Sequence, residues 1–347
     1  MQYGHFDDAQ REYVIDRPDT PRPWSNYLGA RRYGGIITNN AGGYSFTRSP
    51  AEGRILRFRY NSIPLDQPGR YFYLRDRESG DYWSASWQPV GKPLDQYRSI
   101  CRMGTSYTVI TSQYADVRMK TTYFVPLDQD FEYWILEVTN TGKKTRILSV
   151  FSFCEFTSEW NLTNDLLNIQ YVMYIAEARW RNGFINVSSC GRLPEDPGNF
   201  ANRDQSRWWY MTQIGGRIIG ADMDREKFIG VYRSFDNPQV VEAGKATNSP
   251  GFSDNICGSI QSNIDLAPGE TRKIIVLLGV GNPLAGRKAK KEFGNIPRAQ
   301  KELARLKAYW HGLLDRLQIK TPDSALDSMV NVWNAYNALI TYQWSRS

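Results

Sequence analysis

From about residue 9 to 282 the sequence alternates short runs of strand-forming residues with turn residues. The segment "RILRFRYNSI" (54–63), for example, alternates in polarity and is followed by the turn residues "PLDQPGR". Many short segments of this kind, separated by turn signals, are typical of antiparallel sandwiches. The pattern therefore predicts a mainly β fold, a large two-sheet antiparallel β-sandwich whose second sheet-rich half begins near residue 170.

Four stretches of this region predict strands that pair with their neighbours in the chain. These stretches are residues 71–87, 106–126, 131–156 and 254–281. Gly80 occupies the predicted turn of the first, "TNTGKK" (139–144) that of the third, and Pro268-Gly269 that of the fourth. Gly at such positions suits hairpin turns, because several turn types need a positive φ.

After "GNPLAG" (281–286) the apolar period changes from about two to about 3.6 residues, which indicates helices. The first predicted helix carries an apolar stripe of Leu303, Leu306, Trp310, Leu313, Leu314 and Leu317. The second has Thr321 and Asp323 as capping candidates. Its apolar face consists of Leu326, Met329, Val330, Trp333, Tyr336, Leu339 and Ile340. We expect this second stripe to need a further partner, so the chain looks interrupted after residue 347.

The aromatic content is high, at 14% of the residues. Flat rings with a polar edge suit sugar faces and protein interfaces about equally. The net charge is +7, yet the basic residues are scattered among 36 acidic ones, and only "GRKAKKEF" (286–293) forms a short cluster. A nucleic-acid-binding protein is expected to show a concentrated basic stripe. We therefore expect no nucleic-acid partner.

The cysteine and histidine counts limit the chemistry further. Four cysteines are widely spaced without a CxxC pair, and the only histidines are His5 and His311. A zinc site and histidine-dependent catalysis are thus not expected. The start "MQYGHFDDAQ" does not resemble a signal peptide, and the chain has no long apolar run. These features predict a cytoplasmic protein with reduced thiols and no membrane partner.

The segment "NNAGGYSFTRSP" (39–50) does not look like a core strand, because Gly42 and Gly43 give up side-chain packing. One interpretation is a bulge or tight turn with Tyr44 and Phe46 packed inward. The other is a backbone that must come close to a ligand. Both interpretations stay open on the residues alone.

Two further sets of residues are candidates for a functional site. The first set could stack on sugar rings or fill the core, and consists of Trp24, Trp83, Trp87 and Trp160. The second could supply a pair of carboxylates, and consists of Asp7, Asp8, Glu155 and Glu159. Nothing in the sequence places two of these acids across a scissile bond. A self-contained hydrolase is therefore not favoured.

The chain resembles glycoside hydrolase family 94, the inverting disaccharide phosphorylases. The resemblance rests on motifs that occur in the same order along all 347 residues. They include "YGHFDDAQREYVI", "NAGGYSF", "RFRYNSIP", "DYWSASWQPV", "DREKFIGVYRSFDNP" and "MVNVWNAYNALITYQWSRS". The style of "YGGIITNNAGGYSF" leans toward the laminaribiose and cellobiose phosphorylase branches.

The resemblance implies an N-terminal β-sandwich, a helical linker, an (α/α)6 barrel and a small C-terminal β domain. Placed on this sequence, it predicts the sandwich at 1–282, the linker at 283–320 and the first barrel helix at 321–347. The family's general acid and phosphate-binding residues lie in the rest of the barrel, so we expect no catalytic residue in this chain.

The family reaction is phosphorolysis of a β-linked disaccharide with inversion at the anomeric carbon. A carboxylic acid protonates the glycosidic oxygen while phosphate attacks the opposite face of the sugar. The resemblance thus implies inorganic phosphate as co-substrate, no cofactor, no metal, and a disaccharide such as cellobiose or laminaribiose. The expected products are glucose 1-phosphate and glucose.

Family members are homodimers in which the sandwich of one protomer covers the active site of the other. The covering loop matches "EWNLTNDLLNIQYVM" (159–173), and its amide positions fall on Asn161 and Gln170. Cellobiose enzymes often have Arg after that glutamine, where this chain has Tyr171. The hairpin that contains Gly42 and Gly43 lies near the same cavity in the family. It carries Thr47 and Arg48, which the resemblance adds to Asn161, Gln170 and Tyr171 as candidates for substrate binding.

Three functions remain open on the sequence. The first is the N-terminal part of a phosphorylase that works with a barrel domain or a separate barrel chain, as a homodimer or a hetero-assembly. The second is a stand-alone carbohydrate-binding or regulatory module without catalysis. The third is an independent enzyme that uses other residues. The apolar second helix favours the first function, because a free module should not expose such a stripe.

Overall fold

The computed structural model describes residues 2–51, 53–58, 64–157, 176–189, 207–252 and 255–344. Within these residues nineteen strands form three antiparallel sheets of eleven, five and three strands. The mainly β antiparallel sandwich expected from the sequence is therefore confirmed. None of the helices in this described part is long and apolar enough to cross a membrane.

Strands β1 to β12 form the first part of the chain. Their bounds are β1 Gly4–Asp7, β2 Glu12–Ile15, β3 Ser25–Leu28, β4 Tyr33–Thr38, β5 Gly43–Thr47, β6 Tyr71–Asp76, β7 Tyr82–Ser84, β8 Arg98–Gly104, β9 Tyr107–Tyr114, β10 Val117–Phe124, β11 Phe131–Asn140 and β12 Arg146–Glu155. The later strands are β13 Ala176–Arg181, β14 Phe184–Ser189, β15 Arg207–Ile214, β16 Arg217–Asp224, β17 Gly251–Phe252, β18 Ile256–Leu266 and β19 Thr271–Val280.

Within the described residues, six α-helical segments follow or interrupt the later strands. They are α1 Arg225–Ile229, α2 Gln239–Ala243, α3 Pro283–Phe293, α4 Ile296–Leu314, α5 Ser324–Ser328 and α6 Asn334–Trp344, and a π-helical turn, Met329–Trp333, joins α5 to α6. Asp323 caps α5, because its carboxylate accepts hydrogen bonds from the backbone N–H groups of Ala325 and Leu326.

The two large sheets share one apolar core. The strand order of the large sheet is β1-β2-β8-β9-β10-β11-β19-β15-β14-β13-β17, and that of the five-stranded sheet is β16-β18-β12-β6-β7. Phe72 of β6 packs edge-on against Trp134 of β11, with ring centroids 6.1 Å apart. Such aromatic contacts across the layers explain where much of the aromatic content lies.

Two of the four predicted strand pairs are confirmed. Strand β6 pairs with β7 around Gly80, and β9 pairs with β10. The other two predictions are wrong, because the connection crosses from one sheet to the other. Strand β11 pairs with β10 and β19, whereas β12 pairs with β6 and β18. A strand buried on both faces gains more from long-range partners in each layer than from its chain neighbour.

The three-stranded sheet β3-β4-β5 sits beside the sandwich. Its strand β3 is fastened to the turn between β8 and β9, because the Asn26 amide donates to the carbonyl oxygens of Gly104 (2.8 Å) and Tyr107 (2.9 Å). The phenol of Tyr336 in α6 accepts a hydrogen bond from the Ser106 N–H at 2.9 Å. Strand, turn and helix therefore meet at one corner.

The apolar stripes of the helices agree with the sequence only in part. Leu306, Trp310 and Leu314 of α4 are buried, but Leu317 lies beyond the helix and is exposed. In the last helix Tyr336 and Ile340 are buried as expected. Leu326, Met329 and Leu339 of the same predicted face are exposed in the described part of the chain. The π-helical turn shifts the angular register between α5 and α6, which a constant 3.6-residue period does not anticipate.

Candidate functional site

The turn between β4 and β5 contains the glycine pair. Gly42 forms an isolated antiparallel bridge with Gly69, and a side chain on Gly42 would lie 2.0 Å from the carbonyl oxygen of Asp66. Gly43 has φ +111°, a conformation that favours glycine. Tyr44 and Phe46 are buried. The close backbone approach thus involves residues 66–69 of the same chain.

Replacing Gly42 with alanine should lower the free energy of unfolding by about 1–3 kcal/mol, because the new methyl group forces two backbone segments apart. The matched control is Gly312→Ala in α4. A methyl group added at Gly312 would meet no atom of the described residues within 4 Å outside the adjoining helix backbone, so alanine should stabilise the helix by up to about 1 kcal/mol. Urea denaturation monitored by tryptophan fluorescence measures both effects. Equal stability of the two variants would contradict the close approach at Gly42.

A buried carboxyl group stands behind the glycine turn. Asp66 accepts a hydrogen bond from the Thr38 hydroxyl at 2.7 Å, and that hydroxyl in turn accepts from the Gly42 N–H at 3.0 Å. Burial raises the pKa of Asp66, although the Thr38 hydrogen bond opposes this shift. The folded protein therefore favours the protonated carboxyl more than the unfolded chain does.

This raised pKa predicts a pH dependence of stability. The Asp66 contribution is fully present below the unfolded pKa near 3.8 and is lost as the pH rises through the higher folded pKa. Asp66→Asn cannot ionise, so its stability relative to the native protein should increase between pH 3.5 and pH 7. Urea titrations at several pH values measure the difference. A difference that does not change with pH would contradict the raised pKa.

A buried ion pair holds the three-stranded sheet onto the large sheet. Arg70 and Glu132 are both fully buried, with Arg70 Nε 2.7 Å from Glu132 Oε1. The Arg70 guanidinium also donates to the carbonyl oxygens of Ile36 (3.0 Å) and Tyr44 (2.9 Å). Glu132 further accepts from the Ser45 hydroxyl at 2.7 Å. Charge-assisted bonds of this kind are strong when every lone pair is satisfied.

The end of β5 presents two of the predicted substrate residues. Thr47 is buried and its hydroxyl donates to the Arg32 carbonyl oxygen at 3.3 Å. Arg48 is exposed, has φ +66°, and its N–H donates to the same carbonyl oxygen at 2.8 Å. A non-glycine residue in this conformation is uncommon and is often found at functional positions.

A second arginine lies under the hairpin. The Arg54 guanidinium carbon is 3.7 Å from the centre of the Tyr44 ring, and its Nε donates to the Pro50 carbonyl oxygen at 3.1 Å. The side chain is buried, and among the described residues neither terminal nitrogen has a hydrogen-bond partner. The contact with the tyrosine face partly offsets this loss of hydration.

The last helix packs directly on this hairpin. Phe46 contacts Trp344 edge-on, with ring centroids 5.1 Å apart. The Gln343 amide donates to the carbonyl oxygens of Ala30 (2.7 Å) and Arg31 (3.0 Å). These contacts place α6 beside Phe46, Ala30 and Arg31, whereas Gly42 and Gly43 lie at the turn of the hairpin, beside Asp66 and Gly69. The predicted loop residues Asn161, Gln170 and Tyr171 lie outside the described residues.

The other candidates serve the fold where the structure describes them. Glu155 forms a buried ion pair with Arg225, and Asp7 pairs with Arg102. Asp8 accepts from the Ser328 hydroxyl. These contacts within the chain give each acid a structural partner. Glu159 lies outside the described residues.

The tryptophans divide in a similar way. Trp83 is buried and its indole N–H points at the Met119 sulfur, 3.0 Å away, which identifies it as a core residue. Trp24 and Trp87 are half-buried, and Trp160 is not among the described residues. In the described part of the chain no group of three His, Cys, Asp or Glu side chains could hold a metal ion.

Arg54, Arg70 and Glu132 are not among the candidate residues that the sequence pattern indicates. A signal for the last two was present, since each charged residue stands at or within a run of strand-forming apolar residues, "GRYFYL" and "FEYWIL". A charge in such a run predicts a buried partner. Which partner it finds depends on how the strands pair, and the local pattern does not contain that information.

Two family models match the chain. The model described as "Glycosyl hydrolase 94, supersandwich domain" matches residues 11–296. The model described as "Glycosyl hydrolase 94 superfamily, catalytic domain" matches residues 309–347. The second match begins within α4 and covers the helix that packs on the glycine hairpin.

Several curated relatives are similar over nearly the whole chain. N,N'-diacetylchitobiose phosphorylase of Vibrio proteolyticus is 38% identical over 346 residues, which cover 100% of this chain and 42% of that protein. The protein of the same name from Vibrio furnissii is 36% identical, with the same coverage. Solabiose phosphorylase of Paenibacillus borealis is 26% identical, covering 99% of this chain and 43% of that protein. The chain thus spans less than half the length of these relatives.

Proposed function

Since the chain belongs to the glycosyl hydrolase 94 family, we propose that it is the N-terminal part of an inverting disaccharide phosphorylase. In this reaction a phosphate oxygen forms a bond to the anomeric carbon while the bond to the glycosidic oxygen breaks. The leaving oxygen takes a proton from a carboxylic acid. The products are a sugar 1-phosphate and the released sugar, and inorganic phosphate is the co-substrate.

The observation that carries this proposal is the order of the two family matches. The supersandwich match ends at residue 296 and the catalytic-domain match begins at residue 309. Relatives that are phosphorylases by name resemble the chain over nearly all of its length. The division into a sandwich at 1–282, a linker at 283–320 and a first barrel helix at 321–347 belongs to the same proposal.

In this proposal the chain supplies binding groups and the rest of the catalytic domain supplies the acid. The hairpin with Gly42, Gly43, Thr47 and Arg48 packs on α6, which supports a place at the edge of the catalytic domain. The exposed guanidinium of Arg48 suits a phosphate or sugar oxygen. The loop residues Asn161, Gln170 and Tyr171 would reach the active site of a second protomer in a homodimer.

The identity of the disaccharide substrate is the most specific part of the proposal. The sequence motifs favour cellobiose or laminaribiose, both glucosyl disaccharides. Relatives at 38% and 36% identity are named for N,N'-diacetylchitobiose, which makes it a necessary third candidate. The three sugars differ in linkage or in the acetamido groups, so one assay can rank them.

The test is a phosphorolysis assay that measures sugar 1-phosphate formed from each of the three disaccharides. It uses this chain alone and the chain together with a polypeptide that contains the family's complete catalytic domain. We expect sugar 1-phosphate only when the catalytic domain is present, and Arg48→Ala should lower the rate. Product from this chain alone would refute the proposed division of roles. Disaccharide binding without turnover in the mixture would favour the alternative, a carbohydrate-binding module.

A reducing, cytoplasmic location is part of the same proposal. Cys101, Cys154 and Cys257 are buried and unbridged among the described residues. Burial raises the pKa of each of these thiols, which keeps the reactive thiolate scarce. Unbridged buried thiols are typical of proteins from reducing compartments, which supports this location.

A further inference from the structure

A cavity of about 410 Å³ opens on the face of the large sheet formed by β13, β14 and β15. Its volume falls in the range of small-molecule sites. None of the hairpin residues 42–48 contributes to its lining. The cavity is therefore separate from the candidate site described above.

Strand register explains which side chains line this cavity. Arg181 of β13 lies opposite Phe184 of β14, and the next pair with the same orientation is Arg179 opposite Asn186. On the other side, Ser188 of β14 lies opposite Trp208 of β15. Because alternate residues of a strand point to the same face, these six residues form adjacent columns on one surface. Aromatic, amide and guanidinium groups are thus placed side by side.

Helix α3 forms one wall of the cavity. Gly286 packs so closely on the Tyr210 ring that an added methyl group would lie 3.0 Å from it. Lys290, one turn further along, stands over the Phe184 ring with Nζ 5.0 Å from the ring centre. This packing directs Arg287 of the same helix into the cavity lining. Sheet and helix therefore bring two arginines from distant segments, Arg181 and Arg287, to one site.

The charges of the cavity do not balance. Among the described residues, Glu177 is the only acidic one that lines the cavity, and it already pairs with Arg179. Neither Arg181 nor Arg287 has an ion pair within the part of the chain that the structure describes. In the described part of the lining, the site thus offers two guanidinium groups without a counter-charge, next to the amide of Asn186. Guanidinium groups match phosphate geometry well.

We propose that this cavity is a second binding site, one that takes a phosphorylated monosaccharide. The phosphate binds Arg181 and Arg287, the sugar hydroxyls bind the Asn186 amide, and the ring packs against Trp208. Aromatic surface beside amide groups suits a sugar ring, whose faces are apolar and whose edge carries hydroxyls. The uncompensated positive charge favours a sugar phosphate over a neutral sugar. This assignment does not depend on the proposed function.

Isothermal titration calorimetry of the protein tests the site with glucose 1-phosphate, glucose 6-phosphate, glucose and inorganic phosphate. At least one sugar phosphate should bind more tightly than either glucose or inorganic phosphate. The double variant Arg181→Ala/Arg287→Ala should lower that affinity at least about tenfold, and Trp208→Ala should lower it severalfold. The matched control is Arg118→Ala, an exposed arginine on β10 of the same sheet, which should bind like the native protein.

Several results would overturn the proposal. Inorganic phosphate binding as tightly as the sugar phosphates would reduce the site to an anion patch. Unchanged affinity in the double variant would place the ligand elsewhere, including at the catalytic site of the proposed function. The phosphorolysis assay separates the two sites, because the double variant should lose sugar phosphate binding at the cavity and keep its turnover. Loss of turnover in this variant would instead place Arg181 and Arg287 in the catalytic machinery of the proposed function. Thermal unfolding of each variant confirms that binding was measured on folded protein.

Discussion

Replacing Arg70 with methionine should lower the free energy of unfolding by about 3–5 kcal/mol, because the change leaves Glu132 as a buried charge without its partner. The variant also removes the hydrogen bonds to the Ile36 and Tyr44 carbonyl oxygens, which hold β4 and β5 against the sandwich. A fall of the urea midpoint at unchanged slope would measure this loss.

Two comparisons make the Arg70 result specific. Arg272→Met removes a surface ion pair with Glu270, in which the arginine side chain is 58% exposed, and should change stability by less than about 1 kcal/mol. The double variant Arg70→Met/Glu132→Leu removes both charges and should recover part of the loss. If the loss of stability in the double variant equalled the sum of the losses in Arg70→Met and Glu132→Leu, the two residues would not be coupled.

Truncating Phe46 to alanine should also destabilise the protein by about 3–5 kcal/mol. The Phe46 ring is fully buried and contacts both Tyr44 and Trp344, so its removal leaves a cavity between the hairpin and α6. Phe46→Leu keeps most of the volume and should lose less. The two variants are compared by chemical denaturation.

A local readout separates loosening of α6 from general destabilisation. The amide hydrogens of α6 should exchange with solvent faster in Phe46→Ala than in Phe46→Leu, because this helix rests on the hairpin through Trp344. Unchanged protection of α6 in Phe46→Ala would show that the helix is held by other contacts. The hydrogen bonds of Gln343 to Ala30 and Arg31 are the next candidates.

Local features of the fold could be predicted because their causes are local. The β9–β10 hairpin needs only alternating residues and a turn, and the α5 cap needs only Asp323 before the first helical turn. The predicted pairing of β11 with β12 is wrong because the causes of the observed pairing are not local. The turn between them looks like that of a hairpin, but one partner of each strand, β19 for β11 and β18 for β12, lies more than a hundred residues away.

The candidate site shows the same limit. Gly42 and Gly43 indicate a close approach of the backbone to another group. The sequence does not identify residues 66–69 as that group. Glu132 stands out as a charge in an apolar run, but its partner Arg70 is found only through strand pairing. The sheet cavity joins Arg181 and Arg287, whose neighbourhood depends on how α3 packs on β15. Each of these contacts depends on long-range packing, which cannot be read from the local pattern of one sequence.

The crossing connections between the two large sheets bear on how the protein is made. Strand β12 ends at Glu155, and its partner β18 begins only at Ile256. Strand β11 likewise ends at Asn140, and its partner β19 begins at Thr271. A ribosome adds about 5–20 residues per second, so these strands spend on the order of 5–20 s with an unfilled edge after they leave the exit tunnel. An open strand edge invites pairing with other nascent chains. The interlocked sandwich thus leaves this edge open to such pairing until residue 280 has emerged.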